Sequence, residues 1–338
     1  MAKRPTIIDV AKLAGVSKAT VGRVINGQND IVSEDTRSRV MHAVKQLGYE
    51  RNAVAGSLRT DRTFMIALAI PDITNPFWPE VARGVQDAIE AQGYATVTVN
   101  TDWQPEREQK YLTMVRRNRF DGLIVNPIEA SRTDLLNIHI PVVILGSGGY
   151  YPDMDSVGSD TAAGVDTALN HLLELGHRRI ALITGRPSRN NRVRSRHDAY
   201  VAFHAKHNLQ INQDLIIEKD FSEHSGYEAM HQLLHLDNPP TAVFAANDIL
   251  AIGALKGAQA LDWHVPEDVS IVGMDDIYAA ATTSPSLTTI IKPKYETGVK
   301  AAEYLLARMS GDNIDQGRHI LLPCELAVRG STAPPRDI

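Results

Sequence analysis

Residues 6–26 read TIIDVAKLAGVSKATVGRVIN and carry the clearest local signal in the chain. The segment divides at Gly15 into two runs whose apolar residues recur at helical spacing, and Ser17 is a residue type that caps helix amino termini. The pattern predicts a helix, a tight turn at residues 14–16 and a second helix, SKATVGRVIN. In such a pair the first helix braces the second, whose exposed first residues can enter a major groove. The residues predicted to face inward are Ile8, Val10, Ala11 and Ala14, then Ala19, Val21 and Val24.

A third helix is predicted at residues 33–47, with Val40, Ala43, Val44 and Leu47 on one side.

Net charge distinguishes the amino-terminal module, residues 1–62, from the rest of the chain. Residues 1–62 hold eleven Lys and Arg against six Asp and Glu, a balance of +5, whereas the remainder holds 24 against 34, a balance of −10. A basic module on an acidic body indicates that this part of the chain meets a polyanion.

Length and composition narrow the class of protein. At about 150 residues per domain, 338 residues predict two or three domains. The longest apolar runs fall far short of the roughly 18 residues needed to span a bilayer, and residues 1–15 lack the apolar segment of an export signal. Cys324 is the single cysteine, so no disulfide within the chain is possible. These features predict a cytoplasmic protein with no membrane partner.

The sequence carries no catalytic signature. GxSxG, GxGxxG and GxxxxGKS/T do not occur. His231 and His235 have the spacing of a zinc pair in HQLLH, but the glutamate of HExxH is missing, which favours a polar helix edge. Cys324 has no nucleophile motif around it and falls in a predicted strand. The sequence therefore predicts no enzyme, no cofactor and no metal.

From residue 65 onward, short β-rich segments alternate with helical ones. This alternation predicts an α/β fold with parallel sheets covered by helices on both faces, and the number of units predicts two sheets. Ligands of such sheets bind outside the carboxyl ends of the strands. The predicted strands are MIALAI, ATVTV, GLIV, VVIL, RRIALIT, LII, TAVFAAN and SIVGMDD, and the predicted helices lie near residues 75–91, 105–119, 161–175, 193–207, 223–236 and 248–261.

The amino-terminal module resembles the headpiece of the LacI/GalR (lactose-repressor) family. The family patterns D-V-A-x-x-A-G-V-S-x-x-T-V-S-R-V-I/L-N and L-G-Y-x-P-N-x-x-A-x-x-L are matched from Asp9 to Asn26 and from Leu47 to Leu58. Gly22 replaces the usual serine and Arg51 the usual proline. The resemblance implies a helix-turn-helix domain over residues 1–62, and its implied DNA contacts before the hinge are Thr6, Ser17, Lys18, Ala19, Thr20, Arg23 and Asn26.

Residues 52–58 resemble the hinge helix of the same family, which carries a leucine into the minor groove. Seven residues are fewer than the roughly 12–15 at which an isolated helix is even marginal in water, so the segment is expected to order on DNA. Leu58 is then expected to wedge between base pairs and kink the site; the alternative is a buried linker residue. The implied contacts of this segment are Asn52, Ala55, Leu58 and Arg59.

Residues 63–335 resemble the two-lobed, periplasmic-binding-protein-like core of that family. The match is carried by PDITNPFW, DGLIVNP, LLELGHRRIALITG, AVFAANDILAIGAL, SIVGMDDI and SLTTIIKP. The resemblance implies lobe 1 at about 63–160 and 292–322, lobe 2 at about 161–291 and 323–335, and a ligand in the cleft between them. The implied effector contacts are Phe77, Trp78, Arg196, Phe221, Asn247 and Asp275.

Several of these residues have a second interpretation. Phe77 and Trp78 also suit core positions, and Asp276 is an alternative to Asp275 as the cleft residue. The five arginines of residues 186–196 suit a solvated loop as well as a cleft wall.

Aromatic faces combined with an arginine and carboxamide or carboxylate groups suit a polyol, so the expected effector is a small carbohydrate or sugar derivative. The crowded arginines, and Gly146 where some sugar-binding relatives have an acid, shift the expectation toward an acidic or phosphorylated ligand. A nucleobase or sugar phosphate acting as co-repressor is the alternative.

The whole pattern predicts a transcriptional repressor that binds near-palindromic operator DNA as a homodimer, since the apolar heptads of a tetramer are absent. Whether the effector induces or co-represses stays open. A solute receptor is disfavoured by the headpiece and by the lack of an export signal.

Overall fold

A computed structural model describes residues 5–27, 31–50, 62–185, 195–311 and 316–336. Contacts divide the chain into an amino-terminal unit, Met1–Thr63, and a larger unit, Phe64–Ile338, each with its own apolar core. The predicted hinge contacts Asn52, Ala55, Leu58 and Arg59 lie outside the described residues, as do Arg186, Arg189, Arg192 and Arg194.

The amino-terminal unit is a small three-helix domain, as the sequence predicts. Its helices pack around one apolar cluster in which Val10, Val21 and Val40, one from each helix, are fully buried. The helices are α1, Ile7–Ala14; α2, Lys18–Ile25; and α3, Glu34–Leu47.

Two residues predicted to face this core point away from it. Ile8 is 62% exposed, and Ile7 packs on the core instead, because it precedes Val10 by three positions and so lies on the same side of α1. Ala19 is exposed because two positions separate it from buried Val21, which places it on the opposite side of α2. Both predictions of inward orientation were wrong.

The larger unit is an α/β structure with two six-stranded sheets, which confirms the predicted fold class. The strands are β1, Met65–Ile70; β2, Ala95–Asn100; β3, Gly122–Val125; β4, Val142–Leu145; β5, Asp155–Ser159; β6, Ile180–Gly185; β7, Ile216–Lys219; β8, Ala242–Ala245; β9, Ser270–Asp275; β10, Thr288–Ile291; β11, His319–Leu322; and β12, Glu325–Ala327.

The strand orders are β11-β5-β4-β3-β1-β2 in the first sheet and β12-β10-β9-β8-β6-β7 in the second. All neighbouring strands are parallel except β10 and β12. Helices cover both faces of each sheet, and the apolar residues between helices and strands form buried clusters. These helices are α4, Phe77–Glu90; α5, Pro105–Arg117; α6, Arg132–Leu136; α7, Thr161–Glu174; α8, Ser195–Lys206; α9, Glu223–Leu234; α10, Asp248–Ala260; and α11, Lys294–Met309.

Each sheet with its helices forms a lobe, and the chain passes between the lobes three times. The passages lie between β5 and α7, between β10 and α11, and between β11 and β12. Cys324 lies in the last of them and not in a strand, which corrects its predicted position. Among the described helices, none is both long and apolar enough to cross a membrane.

β5 and β10 were not predicted from the sequence, and the single strand predicted around Cys324 is instead two strands, β11 and β12, on either side of it. β5 reads DSVGS and has no apolar run, yet it is buried because its first residue, Asp155, is neutralised by two arginines. Arg308 and Arg318 donate to the Asp155 carboxylate at 2.7 and 2.5 Å. Burial raises the pKa of Asp155, but the hydrogen bonds from Arg308 and Arg318 outweigh it and hold the pKa at about 2.

We expect Asp155→Ala to destabilise the larger unit by about 3–5 kcal/mol, because it leaves two guanidinium groups without their shared partner. The folded pKa lies below the unfolded value of about 3.9, so this contribution is complete above pH ~4 and is lost as the pH falls toward 2. Denaturant unfolding at pH 7 and pH 3 measures both effects. Asp153→Ala, which removes the more exposed pair with Arg132, is the matched control and has a smaller effect; equal losses in the two variants would contradict the assignment.

The middle of α2 contains Gly22, around whose missing Cβ no atom lies within 4 Å. Gly22→Ala is therefore expected to stabilise α2 by about 0.5–1 kcal/mol through lower backbone entropy in the unfolded chain. Gly48 ends α3 with φ 58°, so Gly48→Ala is the control that destabilises instead. Amide exchange of the α2 residues in the full-length protein, followed by mass spectrometry, should slow in the first variant; faster exchange would show that the glycine is required.

Candidate functional site

The turn between α1 and α2 fixes the direction of α2. Gly15 adopts the left-handed conformation, φ 66°, that ends α1. Ser17 Oγ accepts the N–H of Thr20 at 3.1 Å and so begins α2 one residue later. Because the cap and the turn leave the first residues of α2 uncovered, they form a surface that a partner molecule can reach.

This surface carries the residues predicted to contact DNA. Lys18 and Ala19 lie on the first turn of α2, and Arg23 lies just over one turn later. Two exposed cations on a short helix, Lys18 and Arg23, suit a phosphate backbone and guanine edges. Of the predicted contacts that the structure describes, Thr6, Ser17, Lys18, Ala19, Arg23 and Asn26 are exposed and Thr20 is half-buried.

In the larger unit, a cavity of about 320 Å³ lies where the carboxyl ends of the two sheets face each other. The structure brings all six predicted effector contacts to its wall: Phe77 and Trp78 from α4, Arg196 from α8, Phe221 after β7, Asn247 after β8 and Asp275 at the end of β9. Residues far apart in sequence meet here because parallel strands end at the same edge of their sheet.

Asp275 is the chemical centre of this wall. It is 3% exposed, and Oδ1 has no hydrogen-bond partner among the described residues. Lys292 Nζ, also buried, lies 3.6 Å from Oδ1 and 4.5 Å from the centre of the Phe77 ring. Burial raises the pKa of Asp275, against the attraction of Lys292 and Arg196. An acceptor without a hydrogen bond, held beside a cation, is able to receive a hydroxyl or N–H donor of a ligand.

The neighbouring carboxylate, Asp276, faces elsewhere. Its Oδ1 accepts a hydrogen bond from Arg329 at 2.7 Å, and it does not line the cavity. Lys294 Nζ donates to the carbonyl oxygens of both Asp275 and Asp276, at 2.9 and 2.7 Å. These bonds fix the backbone at the end of β9, where the Asp275 side chain borders the cavity and that of Asp276 does not.

A second buried carboxylate, Asp248, lies close to Asp275. It accepts hydrogen bonds from the Thr289 hydroxyl at 2.5 Å and from the Ile277 N–H at 2.8 Å. Burial first, and then the charge of Asp275, raise the pKa of Asp248 to about 7. Asn247 caps α10 through Oδ1, which accepts the Leu250 N–H at 2.9 Å.

Aromatic rings form two further parts of the wall. Phe77 and Trp78 meet edge to face, with ring centres 4.9 Å apart, and both are buried. Phe77 and Trp78 are therefore both core residues of lobe 1 and part of the cavity wall. Phe221 stacks on Trp103, whose ring centre is 5.3 Å away.

Sequence reasoning missed several wall residues. Trp103, Asn126, Asp160 and Lys292 each lie one to three residues after a strand and border the cavity. A search for polar or aromatic residues within four positions after every predicted strand would have found Trp103 and Asn126. It would not have found Asp160 and Lys292, because the strands before them, β5 and β10, were not predicted.

The charged residues on the described part of the wall balance. Asp160 and Asp275 are opposed by Arg196 and Lys292. The expected shift toward an acidic ligand rested on Gly146, which borders the cavity, and on arginines of which Arg196 alone lies within the described residues. No group of described His, Cys, Asp and Glu residues is arranged to hold a metal ion.

Two comparisons with protein families place the chain. Residues 6–52 match the bacterial regulatory proteins of the lacI family, and residues 169–332 match the periplasmic binding protein-like domain. The HTH-type transcriptional repressor PurR of Actinobacillus pleuropneumoniae serotype 3 (strain JL03) is 37% identical over 330 residues, 96% of this chain and 98% of that protein.

Solved structures agree with this placement. The Lac repressor dimer bound to operator and the anti-inducer ONPF is similar with a TM-score of 0.86 and 28% identity, covering 98% of this chain and 100% of that one. A LacI family transcriptional regulator from Enterococcus faecium with bound ribose is similar with a TM-score of 0.71 and 31% identity, covering 80% and 100%.

The raised pKa of Asp248 predicts how stability depends on pH. Its folded pKa of about 7 lies above the unfolded value of about 3.9, so ionisation opposes folding and stability declines as the pH rises from about 4 through 7. Asp248→Asn keeps both hydrogen bonds, since its amide can donate to Thr289 and accept from Ile277. We expect the variant to be more stable than the wild type at pH 8 and nearly equal to it at pH 4. Unfolding midpoints across this range test the assignment; parallel pH profiles would refute it.

Proposed function

The chain belongs to the LacI family of bacterial regulatory proteins and is a DNA-binding transcriptional repressor, and we propose that a small neutral carbohydrate bound in the cavity controls its affinity for operator DNA. The observation that carries the proposal is the wall around Asp275, where balanced charges and aromatic rings surround one space. Members of this family regulate transcription, so the chain is a regulator and not an enzyme.

A neutral polyol suits this wall because each of its hydroxyls both donates and accepts. Asp275 Oδ1 supplies an acceptor, and Arg196 and Lys292 supply donors. The Phe77 and Trp78 rings supply apolar surface for the C–H face of a sugar ring. A volume of about 320 Å³ is at the small end of the range for ligand pockets, roughly 300–1,000 Å³, and fits a ligand of one sugar ring.

The two alternative effectors fit less well. A phosphate or sugar acid needs cations in excess, and the described wall offers two acids for its two cations. A nucleobase held between two aromatic faces needs them about 7 Å apart, twice the contact distance of carbon atoms. The Trp103 and Phe221 rings are 5.3 Å apart and already stack on each other.

On the DNA side, Lys18, Ala19 and Arg23 are proposed to meet base edges and phosphates in a major groove, with α1 bracing α2. Two copies of the chain related by a two-fold axis would read the two halves of a near-palindromic operator. The hinge contacts Asn52, Ala55, Leu58 and Arg59 are proposed from the family resemblance alone.

The proposal predicts that neutral sugars stabilise the purified protein and change its operator affinity. At about 100 times its dissociation constant a ligand adds about 2.7 kcal/mol of stability, which a thermal-shift screen of sugars, sugar acids, sugar phosphates and purines will detect. A coupling of 1–3 kcal/mol would change operator affinity about 5- to 150-fold, and its sign in a mobility-shift titration distinguishes induction from co-repression.

Asp275→Asn should weaken binding of the sugar found in that screen about 10- to 100-fold, because a hydrogen bond to a charged acceptor contributes roughly 1.5–3 kcal/mol. Asp276→Asn is the matched control, since it makes the same change one residue away on a side chain that does not line the cavity. Stabilisation by a purine or an anionic sugar, with none by neutral sugars, would replace the proposed effector. Equal losses in the two variants would remove Asp275 from the site.

A further inference from the structure

Trp103 and Phe221 make a contact between the lobes that no family motif predicts. Trp103 follows β2 in lobe 1 and Phe221 follows β7 in lobe 2, and their rings stack at 5.3 Å with 28° between the planes. Both rings border the cavity.

The contact lies on the side of the cleft opposite the passages between the lobes. β2 and β7 are edge strands, each at the end of its sheet's order. The strands that enter the three passages, β5 with β11 and β10 with β12, lie at the other end of each sheet. The passages therefore join the lobes along one side of the cleft, and Trp103 meets Phe221 on the opposite side, here called the open side.

The Trp103 side of the contact is held firmly. Asp102 and Trp103 both have left-handed backbone conformations, φ 51° and 57°, which aspartate adopts more readily than most residues and a bulky residue such as tryptophan rarely adopts. Asn100 Nδ2 and Arg107 both donate to the Asp102 carboxylate, and Asn100 Oδ1 accepts the Ile73 N–H at 2.9 Å. These bonds select a conformation that projects Trp103 toward lobe 2.

The Phe221 side is supported by the end of β6. A Cβ atom added to Gly185 would lie 2.2 Å from the Phe221 ring, so the ring rests directly on the Gly185 backbone. Phe221 is thus held between Gly185 and Trp103, and Trp103 occupies a face that a ligand would otherwise use.

We propose that the Trp103–Phe221 pair is a clasp that holds the cleft closed on its open side, and that Trp103 determines the length of the ligand. This inference rests on the proposed function for the identity of the ligand, a carbohydrate. The clasp blocks the cavity where a second sugar ring would emerge, so the site takes monosaccharides and rejects disaccharides. Opening the cleft separates the two rings.

The clasp can be tested without any ligand. Trp78→Phe with Trp263→Phe leaves Trp103 as the single tryptophan of the full-length protein. Adding Phe221→Ala should raise the acrylamide quenching constant of Trp103 at least about twofold, because its stacked neighbour is gone. Tyr278→Ala, which removes an aromatic side chain that is 83% exposed, is the control and leaves quenching unchanged. If Phe221→Ala fails to fold, Phe221→Leu replaces it; unchanged quenching in a folded variant overturns the clasp.

The length rule is tested by calorimetry with aldopentoses, aldohexoses and their 1,4-linked disaccharides. Trp103→Ala should lower the ratio of disaccharide to monosaccharide dissociation constants about tenfold or more, the size of effect that one pocket contact has on selectivity. Trp103→Phe keeps a stacking ring and should restore most of the wild-type ratio. A ratio unchanged in Trp103→Ala overturns the rule. If no saccharide binds the wild type, the proposed function and the length rule are both overturned. The quenching experiment tests the clasp independently of that result.

Discussion

The buried pair of Asp275 and Lys292 is the interaction on which the cavity depends. Asp275 ends β9 in lobe 2, whereas Lys292 lies in the passage from β10 to α11, where the chain returns to lobe 1. Two charges out of water require each other, so the end of the sheet and the start of the passage are held together. Lys294 strengthens the link, since its Nζ bonds the Asp275 and Asp276 carbonyl oxygens and lies 3.6 Å from Glu80 of α4. The charged groups of the site therefore also hold the passage between β10 and α11 in place.

Sequence periodicity predicted the two sheets and most of their helices but not the strands next to the passages between the lobes. Apolar strands such as β1 and β3 are buried on both faces and read as continuous hydrophobic runs, so alternation with helices predicted them directly. β5 was not predicted because the ion pairs of Asp155 take the place of apolar burial there. Nothing within DSVGS indicates the two arginines, which lie more than 150 residues away in the sequence. In the headpiece, the errors at Ile8 and Ala19 came from counting apolar residues without resolving which side of the helix each occupies.

The candidate site was likewise predicted from the sequence only in part. Family resemblance supplied the six side chains that now line one cavity, and the rule that ligands bind at strand ends supplied the place. What the sequence did not contain was the partner of each group. A lysine after TTII reads as surface, and Lys292 becomes part of the site only because folding buries it against Asp275. Trp103 likewise gains its significance from Phe221, more than 100 residues later in the chain.

The three passages between the lobes also constrain the order of assembly during synthesis. β5 finds its partner β11 only after every strand of lobe 2 from β6 to β10 has been made, since β11 is residues 319–322. Until then the first sheet exposes the backbone of β5, with Asp155 lacking both of its arginines. On a ribosome adding about 5–20 residues per second, this open edge would persist for roughly ten to thirty seconds. Nascent chains of this protein thus present a strand edge open to unwanted pairing, and a chaperone that covers lobe 1 would protect the chain at that stage.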